Sequence, residues 1–242
     1  MKKNFIERHM IWVGLILFCF MVVPSVKDSY CQEKESASTP VVTSSKIEKE
    51  DTKIKVVIDP GHGGYDSGSE SHSGVIEKEL TLKIAQKVGA ILENKNIEVI
   101  YTRQSDKVTW STDNAQDLLA RTEIANGSGA ACFVSIHLNF SDEYQDEISG
   151  NEIWVNYEND QNVRLAEAID TQLQTISKSD HRGLKDQSIS PLSLLVYNEI
   201  PSVLVETGFL SNDEDTAYVS SDEGSDAFAA AIANGILAYV EK

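Results

Sequence analysis

The chain has 242 residues, 41% hydrophobic and 24% charged, which is globular usage and not that of a disordered chain. Its formal charge of −17, from 38 acidic against 21 basic residues, excludes a sequence-independent electrostatic grip on nucleic acid. It equally excludes docking on an anionic bilayer through a basic patch.

At the N-terminus, Lys2, Lys3 and Arg8 precede an unbroken apolar run from Met10 to Val23. That run is shorter than the ~20 residues of a comfortable membrane span. A positive flank before a short apolar core reads as a signal peptide over residues 1–31, with an uncleaved N-terminal membrane anchor as the alternative. Residues 32–52, dominated by Ser, Thr, Glu and Lys, read as a polar linker. The folded domain is expected over 53–242. Cys19, Cys31 and Cys132 are too few for a disulfide framework, and Cys132, in "AACFVSIH", reads as core.

From Lys53 onward, apolar strands alternate with helical patterns. "KIKVVID" reads as a strand, and "EKELTLKIAQKVGAILENK" places Leu80, Ile84, Val88, Ile91 and Leu92 on one helical face. "IEVIYTR" is a second strand and "NAQDLLARTEIANGSG" a helix closed by glycines. "ACFVSIHLN" and "NEIWVNYE" follow as strands, and "NVRLAEAIDTQLQTI" is a helix with Leu165, Ile169 and Leu173 inward. "LSLLVYN" and "PSVLVET" are read as two more strands before a closing helix, "SDAFAAAIANGILAYVEK". This order predicts a single α/β domain with a mostly parallel, twisted central sheet and helices on both faces.

Ligands of open α/β sheets bind at the carboxyl ends of the strands. There "VVIDPGHGGYDSGS" places His62, "FVSIHLN" ends in His137 and Asn139, and "VLVETGF" carries Glu206; Glu77 opens the first long helix. The glycine-rich turn lacks the GK[ST] ending of a phosphate loop. Taken singly, each also has a structural reading: His62 as a turn residue, His137 as a hydrogen-bonded core histidine and Glu77 as a carboxylate suited to a helix dipole. Taken together at one edge, two histidines and a glutamate make the donor set of a catalytic Zn2+ site with an open position. His62, Glu77 and His137 are therefore the expected metal ligands, and Glu206 the acid/base that moves the water's proton. Asp66 is expected to brace the turn, and Asn139 either to orient His137 or substrate or to shape a turn. Arg103 and Arg121 read either as loop and helix-surface ion-pair residues or as substrate contacts, and His72 and His181 as surface groups in polar loops.

The segments "VVIDPGHGGYDSGS", "GVIEKELTLKIA", "YTRQSD", "ARTEIANGSGAACFVSIHLN" and "PSVLVETGFLSNDED" resemble the zinc-dependent N-acetylmuramoyl-L-alanine amidases of the bacterial cell wall. The resemblance is collinear from about Lys53 onward. It implies that His62, Glu77 and His137 are zinc ligands and Glu206 the catalytic carboxylate. It also implies hydrolysis of the amide between the lactyl group of N-acetylmuramic acid and L-alanine of the peptidoglycan stem peptide. Peptidoglycan is then the partner of a secreted or envelope-located bacterial enzyme, an autolysin acting as a monomer without a visible wall-binding module. Some relatives carry a metal-blocking helix in a long insertion after the second histidine. Here only "FSDEYQDEIS" separates Asn139 from Gly150, which implies an open site.

Overall fold

In β1 (Lys55–Pro60), Val56 and Ile58 pack into one apolar cluster and Val57 into another. A strand buried on both sides in this way requires helices above and below it. The computed structural model describes residues 53–241 apart from Ser111, Tyr144 and Pro191. The leader over 1–31 and the linker over 32–52 lie outside the described residues.

After β1 come α1 (Glu77–Glu93), β2 (Glu98–Tyr101), α2 (Asn114–Gly127), β3 (Phe133–Asn139), β4 (Asn151–Val155) and α3 (Asp160–Leu173). The chain continues through β5 (His181–Asp186), α4 (Ser193–Val196), β6 (Ser202–Phe209), α5 (Asp213–Ser220) and α6 (Asp222–Val240). The sheet order is β2-β1-β3-β6-β4-β5, and every neighbouring pair is parallel except β4 with β6. Ile84, Val88 and Leu92 of α1, Leu165 and Ile169 of α3, and Phe228, Ile232 and Ile236 of α6 cover one face. The opposite face carries a thinner cover, with Ala125 of α2 and Leu194 and Leu195 of α4 over Val57, Phe133 and Leu204.

The mostly parallel α/β sheet with helices on both faces is as the sequence predicts, with two local differences. "LSLLVYN" is not a strand: Leu194 and Leu195 are both buried within α4, whereas adjacent strand residues would face opposite sides of the sheet. The sixth strand is "HRGLKD", β5, at the sheet edge. Its polar sequence carries no apolar alternation because it is recruited by backbone pairing with β4, and edge strands are commonly charged. No helix among the described residues is long and apolar enough to cross a membrane.

α6 crosses α3 where Gly235 meets Ile169; a Cβ there would lie 2.4 Å from the Ile169 Cα. Gly235→Ala should therefore lower the thermal midpoint by several degrees, overpacking of this kind costing ~1–3 kcal/mol. Alanine is otherwise the better helix former by about 1 kcal/mol. A higher midpoint in thermal denaturation would show that the two helices are not in backbone contact.

Candidate metal centre

The less covered face of the sheet changes character along its strands. Val57 and Phe133 form an apolar row, and Asp59, Ser135, Leu204 and Trp154 lie in the next row in cross-strand register. One step further, His137 of β3, Glu206 of β6 and Glu152 of β4 stand side by side. The alternation of strand side chains thus delivers a histidine and two glutamates to one face. His137 and Glu206 lie inside their strands and not beyond them, because β3 and β6 run on to Asn139 and Phe209.

His62 comes from the turn after β1 and has left-handed backbone geometry, φ 59°. Such a conformation costs a non-glycine residue about 1–3 kcal/mol and persists only where the surroundings impose it. Two buried arginines bind the carbonyls around it. Arg103 donates from Nε to the Pro60 carbonyl (3.1 Å) and from Nη2 to the Gly61 carbonyl (2.8 Å). Arg121 donates from Nη1 to Pro60 O (2.9 Å) and from Nη2 to His62 O (2.7 Å). Three successive carbonyls are thus held by two guanidiniums.

Glu77, in the first turn of α1, is nearly fully buried and joins the two histidines. Its Oε1 is 3.1 Å from His62 Nε2 and 3.1 Å from His137 Nδ1, and the imidazole centroids are 4.8 Å apart. The backbone N–H groups of Ser69 and Leu138 also donate to its carboxylate, at 2.9 and 3.1 Å. Burial alone would raise the Glu77 carboxyl, but hydrogen bonds and charge from His137 and His62 outweigh it and hold the group far below the carboxylate range. Burial pulls His62 down, while Glu77 and then Asp66 pull it up further, so the imidazole ends above its ordinary value. Glu206 goes the other way: burial, reinforced by the charges of Glu77 and Glu152, pushes its carboxyl well above the ordinary value.

The structure brings His62, Glu77 and His137 together, with one ligand atom from each within 4.8 Å of the others. Two imidazoles and a carboxylate suit a divalent metal by donor type. His137 Nε2 and Glu206 Oε2 are enclosed without a hydrogen-bond partner, as donors awaiting a ligand would be. Gly61 and Gly68 leave the room, since a Cβ on Gly61 would lie 2.3 Å from the His137 ring and one on Gly68 2.6 Å from Glu77 Oε2. An open cleft of about 220 Å³ adjoins the histidines, bordered by Tyr65, Leu118 and Leu194.

Asp66 braces the turn as read from the sequence: its Oδ2 is 2.7 Å from His62 Nδ1 and its Oδ1 accepts from Gly68 N at 3.0 Å. Asn139 does not orient His137; its Nδ2 donates to Glu152 Oε1 (2.9 Å) and its Oδ1 accepts from Phe140 N. Arg103 and Arg121 are not surface ion-pair residues but buried, 4% and 2% exposed. His181 is not in a loop but in β5, 2.9 Å from Asn151 Oδ1 through Nδ1 and 3.1 Å from Asp170 through Nε2. His72 is an exposed residue beside Asp213.

Sequence reasoning passed over Asp59 and Glu152. Asp59 is fully buried and receives Arg121, Ser135 and Thr102; a charge closing the apolar run "VVID" was the available signal. Glu152 accepts from Arg182 at 2.8 Å and Trp154 at 3.2 Å, and nothing local marked it, since its role comes from pairing with Glu206 across strands.

The family model described as N-acetylmuramoyl-L-alanine amidase matches residues 56–238. The chain is 31% identical over 191 residues to the germination-specific N-acetylmuramoyl-L-alanine amidase of Bacillus subtilis, covering 76% of this chain and 78% of that protein. Among solved structures it is similar to the N-acetylmuramoyl-L-alanine amidase AmiC2 of Nostoc punctiforme, at 36% identity and TM-score 0.69, covering 78% of this chain and 98% of that one. It is also similar to the CwlD amidase of Clostridioides difficile, solved in complex with the GerS lipoprotein. That match has 30% identity and TM-score 0.72, covering 78% of this chain and 99% of the other.

The crowding around Gly61 makes a specific expectation. Gly61→Ala should leave the metal-free fold intact by circular dichroism, yet weaken binding of a divalent metal ion about tenfold or more, because the new methyl displaces the His137 ring. Metal content after equilibrium dialysis checks this. Wild-type loading would mean that the His137 position is dispensable.

Proposed function

The chain belongs to the N-acetylmuramoyl-L-alanine amidase family, and on that premise we propose how its residues perform the reaction. The enzyme hydrolyses peptidoglycan at the amide between the lactyl group of N-acetylmuramic acid and L-alanine of the stem peptide, so it acts in the cell envelope. The convergence of His62, Glu77 and His137, with Glu206 in register beside His137, supports the mechanism.

His62, Glu77 and His137 hold Zn2+. When bound, zinc supplies Lewis acidity to the amide carbonyl and to water, and its charge lowers the pKa of nearby carboxyls. Asp66 accepts from His62 Nδ1, fixing the tautomer and turning the other ring nitrogen toward Glu77. Glu206 takes one proton from the water whose oxygen attacks the carbonyl carbon. It then returns a proton to the alanine nitrogen as the C–N bond breaks, leaving a carboxylate and a free amine. A carboxyl raised by burial suits this exchange, because a poised pKa serves both directions of transfer. The leader over 1–31 is the route out of the cytoplasm, and the enzyme works as a monomer on the polymer.

Incubation of the purified protein with peptidoglycan, read by mass spectrometry, should release stem peptides with a free L-alanine amine. Release should stop with a chelator and return with zinc. A different released bond would overturn the substrate assignment, and chelator-resistant release would overturn the metal.

Glu206→Gln should keep zinc and lose turnover by ~10²–10⁴-fold; retained activity would remove Glu206 from the chemistry. The same variant carries a pH signature in the metal-stripped protein. Folding holds a proton on Glu206 above the ordinary value of 4.5, so the folded state binds more protons there and its stability falls as pH rises through that range. Glutamine escapes this loss. Glu206→Gln should therefore raise the melting temperature at pH 7 and leave it unchanged near pH 4, as calorimetry would read.

A further inference from the structure

Arg121 satisfies more partners than a structural ion pair needs. Its Nε donates to Asp117 Oδ1 at 2.6 Å and its Nη1 to Asp59 Oδ1 at 2.7 Å. These two carboxylates fix the guanidinium, and the Trp110 ring covers it at 4.7 Å. Two further donors go to the end of β1 and the turn that follows it: Nη1 to the Pro60 carbonyl and Nη2 to the carbonyl of His62 itself. His62 and Asn96 are the non-glycine residues with left-handed φ among those described. Asn96 lies in an exposed surface turn, whereas His62 is tied to the interior through its carbonyl; both are residue types that enter this region more readily than most.

We infer that Arg121 positions the metal ligand: by gripping the His62 carbonyl from a guanidinium anchored on Asp59 and Asp117, it holds His62 in the left-handed conformation that aims its imidazole at Glu77. This rests on the metal-site reading given above. A planar fork is required, because one side chain must reach two carboxylates and two carbonyls in fixed directions. A lysine ammonium can keep the charge but cannot reproduce that geometry. Arg103 offers an internal comparison, since it binds the Pro60, Gly61 and Lys78 carbonyls but makes no bond to His62 O.

The test uses the full chain as wild type, Arg121→Lys, Arg103→Lys and His62→Ala. Zinc affinity is measured by chelator competition, site geometry by the visible spectrum of the Co2+-loaded protein, and stability by melting of the metal-free form. Arg121→Lys is expected to remain folded, bind zinc ~10–100-fold more weakly and show an altered Co2+ spectrum. Arg103→Lys should lose stability with a smaller change in affinity. A merely structural Arg121 would lower the melting temperature and leave the affinity and spectrum of the folded protein at wild type, which would overturn the inference. Should Arg121→Lys not fold, Asp117→Asn loosens the same guanidinium while keeping an acceptor. It should weaken zinc binding in the same direction, and wild-type affinity there would equally overturn the inference. His62→Ala separates the two levels: if it binds zinc as tightly as wild type, the metal-site reading fails and takes this inference with it. If His62→Ala loses zinc while Arg121→Lys does not, only the role of Arg121 fails.

Discussion

Two guanidiniums buried under a glycine-rich turn are the constraint on which the rest depends. The turn from Pro60 to Gly68 has little apolar surface of its own, and the carbonyls of Pro60, Gly61 and His62 at its start turn inward, Gly61 O also accepting from Thr81 Oγ1. Arg103 and Arg121 satisfy them and in doing so set the path of the chain. Burying two cations side by side is itself unfavourable. Burial and the neighbouring Arg121 pull the Arg103 pKa down to about 10. Burial also works against Arg121, but Asp59 and Asp117 outweigh it and keep that group firmly protonated. Breaking such a buried pair typically costs about 3–5 kcal/mol, so the turn is tied to the stability of the domain.

The sheet supplies the other half of the site through register alone. On one face each strand passes from apolar to polar in the same direction, and the cover of α2 and α4 gives way to an open cleft beside the histidines. Because β4 runs antiparallel to β6, Glu152 arrives from the opposite chain direction yet meets Glu206 in the same row. Arg182 and Asn139 meet Glu152 there, so its charge is balanced while it still acts on its neighbour.

Chemically identical side chains are thereby given different tasks. Glu77 lies between two imidazoles and two backbone donors, which hold its carboxyl far below the ordinary value, the ionised form that the proposed metal ligand needs. Glu206 has an enclosed oxygen without a donor and two carboxylates for neighbours, and burial with those charges raises its pKa above the ordinary carboxyl value. The difference comes from surroundings contributed by four separate segments, the usual way that one residue type is set to acid or base work.

The alternation of apolar runs with amphipathic helices determined the α/β class and most of the elements, because burial on both sheet faces leaves a local periodic trace. The positions of His62, Glu77, His137 and Glu206 at one edge were legible for the same reason: each sits at the end of, or beside, a run that had to be buried. What only the tertiary structure decided has no such trace. β5 exists because β4 offers it an edge, and "LSLLVYN" coils into α4 because both Leu194 and Leu195 must reach the same apolar cluster. Arg121 looks like a helix-surface residue until Asp59, 62 positions away, is brought against it. Asn139 and Glu152 find each other only once β3 and β4 flank β6. Local sequence encodes which surfaces must leave water, but the partners of a buried charge are chosen by register and long-range packing, and those are properties of the assembled sheet.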